Sequence, residues 1–257
     1  MASQARTLGD LGREEDSVSM GGGEGAMLPP PPFPPSPPHN NIPSIKTPRP
    51  DITAGLLTTA VIKALESRGL NNTAAESLLK DLQQQVSNYR SLDLPPEPFL
   101  CSEPTQRALN IRFPFLIVEG KSYATGRSVY EAQNQAAVSG ACALKILHNL
   151  ATLEACAGGD NAAALDPRTD LPIVFSICTE GPYHELWCHY TTIEDGIRKY
   201  NMNIWKVCHG SLPDDMLDFL VAVDNVLRWG AGTFLDKITG QLGKVAEKST
   251  WFASKEG

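Results

Sequence analysis

The chain has 257 residues, enough for one large domain or two small ones, and a formal net charge of -7. That acid excess excludes the global positive field of a strongly basic nucleic-acid binder, so any such contact needs a local basic patch. The six cysteines, Cys101, Cys142, Cys156, Cys178, Cys188 and Cys208, have no CxxC or zinc-ribbon spacing and read as reduced thiols, most of them buried in apolar segments.

The N-terminus lacks a charged start followed by an apolar core, and no stretch reads as the roughly 18 apolar residues of a membrane helix. The expectation is a soluble intracellular protein of nucleus or cytoplasm with no membrane partner. Residues 1–47, which include "GGGEGAMLPPPPFPPSPPHNN", are too rich in Gly, Pro and Ser to bury enough apolar area against chain entropy. They read as a disordered tail with polyproline II character. Residues 29–38 suit a proline-binding adaptor of the SH3, WW or EVH1 kind, and a plain tail is the simpler alternative.

Order is expected over residues 48–250. Pro50 forces Arg49 toward extended geometry, and Ile52 and Thr53 suit a short strand. A helix follows, with Leu57, Val61, Ala64 and Leu65 at helical spacing and Gly69 as its stop. A second helix opens at Thr73, with Glu76 three residues on as a capping box and Leu78, Leu79, Leu82 and Val86 as the apolar stripe. "SLDLPPEPFLCSEPTQ" is a proline-broken connector. "FPFLIVEGKSYATG" then gives a buried strand from Phe113 to Glu119, followed by a Gly-containing loop.

A long helix from about Ser128 to Leu150 is rich in small residues. Ala132, Ala136, Ala137, Gly140, Ala141 and Ala143 suit close approach to a sheet. "CAGGDNAAALDPRTD" is a loop. Two strands joined at Glu180-Gly181-Pro182 form a hairpin, and "MNIWKV" is a further short strand. Ser211 with Asp214 opens a helix carrying Leu217, Leu220, Val221 and Val226 that ends near Gly230, and a last helix runs from about Thr233. Trp187, Trp205 and Trp229 read as core. The class is α/β of mixed α+β type, a small mixed central sheet flanked by helices.

Glu119 and Lys121 are two apart in a strand, so both side chains emerge on one face. A structural ion pair is the ordinary account of a bare ExK. Their position at the carboxyl end of an apolar strand, before a loop and a helix, is where open sheets place ligands. A cation there needs a second carboxylate, and Asp51, after Pro50 at the start of the first ordered strand, can supply it. His184 and His189, five apart on a strand, fall on opposite faces and read as structural or exposed. Ser122, Tyr123, Thr125 and Gly126 could meet phosphate ahead of the long helix. Arg49, Lys46 and Arg127 could supply a local basic patch for nucleic acid, and scattered surface charge explains them equally well.

At Pro50-Asp51 and Glu119-Gly120-Lys121 the chain resembles the PD-(D/E)XK nuclease superfamily. It is similar above all to fungal nuclease-like proteins of that superfamily, through "VEGKSYATG", "YEAQNQAAVSGACALKI", "FSICTEGPYHELW" and "VDNVLRWGAGTFLD", over roughly residues 45 to 245. The resemblance implies a restriction-endonuclease-like core and Mg²⁺-dependent hydrolysis of phosphodiester bonds in DNA or RNA. Asp51 and Glu119 would ligate Mg²⁺, with the Gly120 carbonyl a possible further ligand and Lys121 the catalytic lysine. A glutamine on the following helix would join them. Gln135, with Ser139 four residues on, is the first choice and Gln133 the second, because about 200° of helix separates the two. The two helices between Asp51 and Glu119 would be an insertion between the motif strands. Two other readings stand beside this one: a catalytically silent nuclease-like domain that binds nucleic acid or protein, and an α/β interaction module whose tail recruits an adaptor.

Overall fold

The computed structural model describes residues 49–84, 100–102, 110–122, 124, 126–157 and 172–248. The proposed tail, its proline stretch 29–38, Lys46, Val86, Tyr123, Thr125 and most of both the connector and the alanine-rich loop lie outside the described residues.

The order of elements is β1 (Ile52–Leu57), α1 (Thr58–Glu66), α2 (Asn72–Gln84), β2 (Ile111–Lys121), α3 (Val129–Ala157), β3 (Val174–Glu180), β4 (Tyr183–Glu194), β5 (Ile197–His209), α4 (Pro213–Trp229), a π-turn (Gly230–Phe234) and α5 (Leu235–Lys248). The five strands form one mixed sheet in the order β1-β2-β3-β4-β5. Only the β2–β3 pair is parallel, and the long α3 connects its two strands. The protein is thus mixed α/β, a small sheet flanked by helices. α1 and α2 stand between β1 and β2 in sequence, so the motif strands pair across an inserted helical pair.

β2 is an interior strand, paired on both sides by β1 and β3, and its residues are apolar almost throughout: Phe113, Phe115, Leu116 and Ile117 are all buried. Its pairing with β1 skips two residues. Ala54 faces Leu116, Gly55 faces Pro114 and Leu56 faces Arg112, leaving Phe115 and Phe113 as the extra residues of successive bulges. A bulged stretch is where a strand can carry Pro114, which has no N–H for the ladder. Phe115 then meets Trp229 edge-on and Phe234, and Trp229 also meets Phe175, so the π-turn is anchored on the sheet through aromatic contacts.

α3 covers one face of the sheet and extends seven residues beyond the expected end at Leu150. Its buried small residues are Ala132, Ala136, Gly140 and Ala143, a stripe at helical spacing, while Ala137 is exposed and Ala141 half-buried. By length and composition α3 could cross a membrane, contrary to the expectation from hydropathy, but half of that window is buried inside the protein. α4 lies on the opposite face: it reaches Lys206 through Asp218 and His184 through Phe219, and both partners alternate away from the α3 side. α5 packs against α1 and α3.

Several local expectations fail for identifiable reasons. Leu57 is the last residue of β1 and 56% exposed, because α1 starts one residue later. α2 is capped by Asn71, whose side-chain oxygen accepts the Ala74 N–H at 2.7 Å, so Thr73 lies inside the helix. α4 starts at Pro213 with no side-chain cap; the Ser211 hydroxyl instead meets His209 Nδ1 at 2.6 Å. β5 is 13 residues long, because Asp195-Gly196 turns a hairpin whose second strand starts at Ile197 and carries the charged Arg198 and Lys199 at the sheet edge. Trp205 is 56% exposed rather than core: Leu186 pairs with Lys206 and Trp187 with Ile204, so Trp205 is the extra residue of a bulge. Leu217, Leu220 and Val221 are also exposed, and α4 buries Phe219 and Val226 instead. Cys142, Cys178, Cys188 and Cys208 are free thiols, and Cys142 is exposed.

Candidate functional site

β2 continues through Lys121, so Glu119, Gly120 and Lys121 are all paired strand residues, Glu119 beside Cys178, Gly120 beside Thr179 and Lys121 beside Glu180. β1 enters alongside, with Ile52 opposite Val118 and the Asp51 N–H bonded to the Val118 carbonyl at 3.1 Å. The antiparallel ladder therefore delivers Asp51 next to Glu119 and Gly120. The Asp51 carboxylate accepts the Gly120 N–H through Oδ2 at 2.7 Å. A Cβ on Gly120 would lie 3.6 Å from Asp51 Oδ2 and 3.4 Å from the Thr179 hydroxyl, ordinary contact distances, so the approach of Asp51 does not depend on glycine at this position.

Glu119 is only 2% exposed, whereas Asp51 is exposed. Burial raises the Glu119 carboxyl above its ordinary range, the Asp51 charge adds to that, and a hydrogen bond from Ser139 and the charge of Lys121 oppose it. The Ser139 hydroxyl, from α3, donates to Glu119 Oε1 at 3.3 Å.

The two glutamines divide as the helical geometry requires. Gln135 accepts a hydrogen bond from the Lys121 ammonium. Gln133 points to another buried acid, donating to Glu185 Oε2 at 2.8 Å, and the Trp187 indole donates to the same oxygen at 2.9 Å. Glu185 is 4% exposed and faces Cys178 across the β3–β4 ladder. One sheet row therefore reads Glu119, Cys178, Glu185, and burial between two carboxylates pushes the Cys178 thiol up to about 12. Nothing in the sequence separates Glu185 from an ordinary strand acid, although its two-residue spacing from Trp187 puts both on one face.

The helix N-terminus expected to receive phosphate already holds a carboxylate. Glu180, at the end of β3, accepts the Val129 N–H at 2.7 Å. Ser122 and Gly126 are exposed beside it. Arg127 is 3.7 Å from Glu131 in an exposed i,i+4 pair, and Arg49 precedes the site on the β1 side. His184 and His189 do separate: His184 stacks near Phe219, while His189 is buried with its Nε2 2.7 Å from the Ser176 hydroxyl. Among the described residues, no group of three or more His, Cys, Asp and Glu side chains is arranged to hold a metal ion. Asp51 and Glu119 are neighbouring carboxylates at the ExK strand, and Glu180 stands beside Lys121 on β3.

A family model described as Domain of unknown function (DUF7924) matches residues 83–242, and the chain belongs to that family. The match contains Glu119, Lys121, Gln133 and Gln135, and Asp51 lies before it. No curated protein and no solved structure matches the chain.

Proposed function

We propose that this protein is a Mg²⁺-dependent nuclease-like hydrolase of nucleic-acid phosphodiester bonds, built on a restriction-endonuclease-like core. The observation that carries the reading is the approach of Asp51, from a separate strand, to Glu119 and Gly120 at the end of β2, where Lys121 and Gln135 also meet. The donor set fits the ion: Mg²⁺ is held by one or two carboxylates, with water and substrate phosphate completing the octahedron. Asp51 and Glu119 would hold it, with the Gly120 carbonyl as a further oxygen. When bound, Mg²⁺ supplies Lewis-acid polarisation of the phosphate and acidifies a bound water.

The residues of the chain supply the rest. The Lys121 ammonium, oriented by the Gln135 side-chain oxygen, presents a cation where negative charge develops on phosphorus-bound oxygen. Ser139 fixes the rotamer of Glu119 through Oε1. Burial raises the Glu119 carboxyl and the neighbouring Asp51 charge adds to it, against the Ser139 hydrogen bond and the Lys121 charge; a bound cation would favour the ionised form.

A catalytically silent module that binds nucleic acid or protein is the second reading. It is favoured by the scarcity of free positive charge: Arg127 is engaged by Glu131, and Glu180 occupies the helix N-terminus. Calorimetric titration of Mg²⁺ into wild type, Glu119→Ala and Lys121→Ala, followed by incubation with labelled single- and double-stranded DNA and RNA, separates the readings. The nuclease reading expects binding by wild type and Lys121→Ala, none by Glu119→Ala, and cleavage by wild type alone. Metal binding without cleavage supports the silent module. No metal binding by wild type overturns the site.

A further inference from the structure

The first turns of α3 have two flanks. On the β2 flank Gln135 meets Lys121, and on the β4 flank Gln133 meets Glu185. The β4 flank carries aromatic and apolar side chains. Tyr130 lies one turn before Gln133 on the same side of the helix and is 70% exposed. Tyr183 lies two residues before Glu185 on the same face of β4, is half-buried, and hydrogen-bonds the Glu185 side chain. The two tyrosines are close enough that a charge on one acts on the other. Half-buried Trp187 continues that face of β4. Opposite Glu185 and Trp187, β5 sets Val207 and Ile204, 42% and 48% exposed.

This flank adjoins the ExK site. Across the strand ends the register runs Lys121, Glu180, Tyr183, so Tyr183 stands two strand spacings, roughly 10 Å, from Lys121 on the face that α3 covers. The charges around the two rings disfavour a grip on phosphate. Glu180 and Glu185 are acids on either side of Tyr183, and Glu180 fills the N-terminus of α3. Arg127, just before α3, is 3.7 Å from Glu131. A duplex is held chiefly through its phosphates by cations, and its bases are stacked on one another. A single strand can be held by its bases, because each base offers a flat face to an aromatic ring. We propose that Tyr130 and Tyr183 stack on unpaired bases of a single-stranded nucleic acid whose backbone passes Lys121, with Trp187, Ile204 and Val207 as an apolar floor for the next base. The proposal rests on the nuclease reading for the place of the phosphate, and it adds the substrate class: an unpaired strand and not a duplex.

Fluorescence anisotropy of the full chain with labelled oligo-dT and oligo-rU of about 12 nucleotides, and with a blunt duplex of equal length, tests it in EDTA so that nothing is cut. At least one single strand should bind 10-fold or more tighter than the duplex, with a salt dependence of about one or two phosphate contacts. Tyr130→Ala should weaken single-strand binding at least 5-fold with the thermal midpoint in place, and Tyr130→Phe should stay within about 2-fold of wild type. Tyr183→Phe, which keeps the ring and loses the bond to Glu185, should also bind within about 2-fold. Duplex binding as tight as single-strand binding, single-strand binding unmoved by Tyr130→Ala, or no binding of either overturns the inference. The nuclease reading fails on a different result, the absence of Mg²⁺ binding by wild type. Mg²⁺-dependent cutting of duplex that Tyr130→Ala leaves unchanged keeps that reading and overturns this one.

Discussion

Asp51 accepts the backbone N–H of Gly120 at 2.7 Å, although α1 and α2 intervene between the two residues in the chain. The contact ties the residue just before β1 to the middle residue of the ExK motif. It also fixes one carboxylate beside another that is almost completely buried. The β1–β2 register sets the Asp51 backbone beside the strand, and the exposed Asp51 side chain completes the contact with the Gly120 N–H.

The Asp51 charge is one of the causes that raise the Glu119 carboxyl, after burial itself. Asp51→Asn keeps an acceptor for the Gly120 N–H and removes the charge. The Glu119 carboxyl should therefore titrate at lower pH in the variant than in wild type, as followed by ¹³C NMR of the side-chain carboxyls. An unchanged midpoint would mean that the two acids do not sense each other, and the carboxylate pair would lose its electrostatic basis.

The two glutamines should separate by what their loss costs. Gln133→Ala removes one of the donors that satisfy buried Glu185, and an under-satisfied buried acceptor costs about 1–3 kcal/mol. Gln135 is exposed, and its partner Lys121 can turn to water, so Gln135→Ala should change stability by less than about 0.5 kcal/mol. Urea unfolding of both variants measures the difference. Equal losses, or a larger loss for Gln135→Ala, would contradict the assignment of Gln133 to structure and Gln135 to the site.

What the sequence makes legible follows from how local each signal is. The buried β2 run, the small-residue stripe of α3 and the Gly181-Pro182 turn are written in neighbouring residues, and each appears at its expected place. The approach of Asp51 to Glu119 is non-local, and only the motif pattern pointed to it. The failures are of three kinds. Bulges change side-chain direction without a compositional sign, which is why Trp205 is exposed and Phe115 meets the π-turn. Burial also depends on which side finds a partner: hydrophobic spacing in α4 is satisfied twice, and only the Phe219–Val226 side meets the sheet. The satisfied acids Glu185 and Glu180 were invisible for a third reason. Their donors come from Gln133 and the Val129 amide on α3, a contact that exists only after the crossover has formed.

α3 packs tightly on β4 at Gly140. A Cβ there would stand 2.4 Å from Nδ1 of His189, whose ring is held on its far side by Ser176. Neither the ring nor the helix can yield without breaking that bond, so Gly140→Ala should destabilise by about 1–3 kcal/mol. Gly232, in the π-turn, has open space where a Cβ would go, and Gly232→Ala should be neutral or stabilise by up to about 1 kcal/mol through helix propensity. Denaturant midpoints of the pair decide the matter: a tolerated Gly140→Ala would show that α3 does not seat on His189 as described.

Two histidines, buried His189 and half-buried His148, give the fold a pH dependence whose sign is fixed. Burial holds the His189 pKa at about 4, and burial followed by the charge of Arg198 holds His148 at about 4, both from 6.5. As pH falls below 6.5 the unfolded chain takes up protons that the native chain refuses, so native stability declines until pH reaches about 4. For His189, 2% exposed, the difference amounts to about 3 kcal/mol at the lower end of that window; half-buried His148 adds less. Glu119 works the other way. Its raised carboxyl binds a proton earlier in the native chain than in the unfolded one, which returns part of the loss as pH falls through its folded value toward 4.5. Unfolding free energy should therefore fall from pH 7.5 to pH 5, and more steeply in Glu119→Gln, where the offset is gone. Imidazole NMR should show both histidines neutral at pH 5. A histidine that titrates near 6.5 in the folded protein, or a stability that is flat across this range in Glu119→Gln, would overturn the burial of the Ser176–His189 pair as the source of the effect.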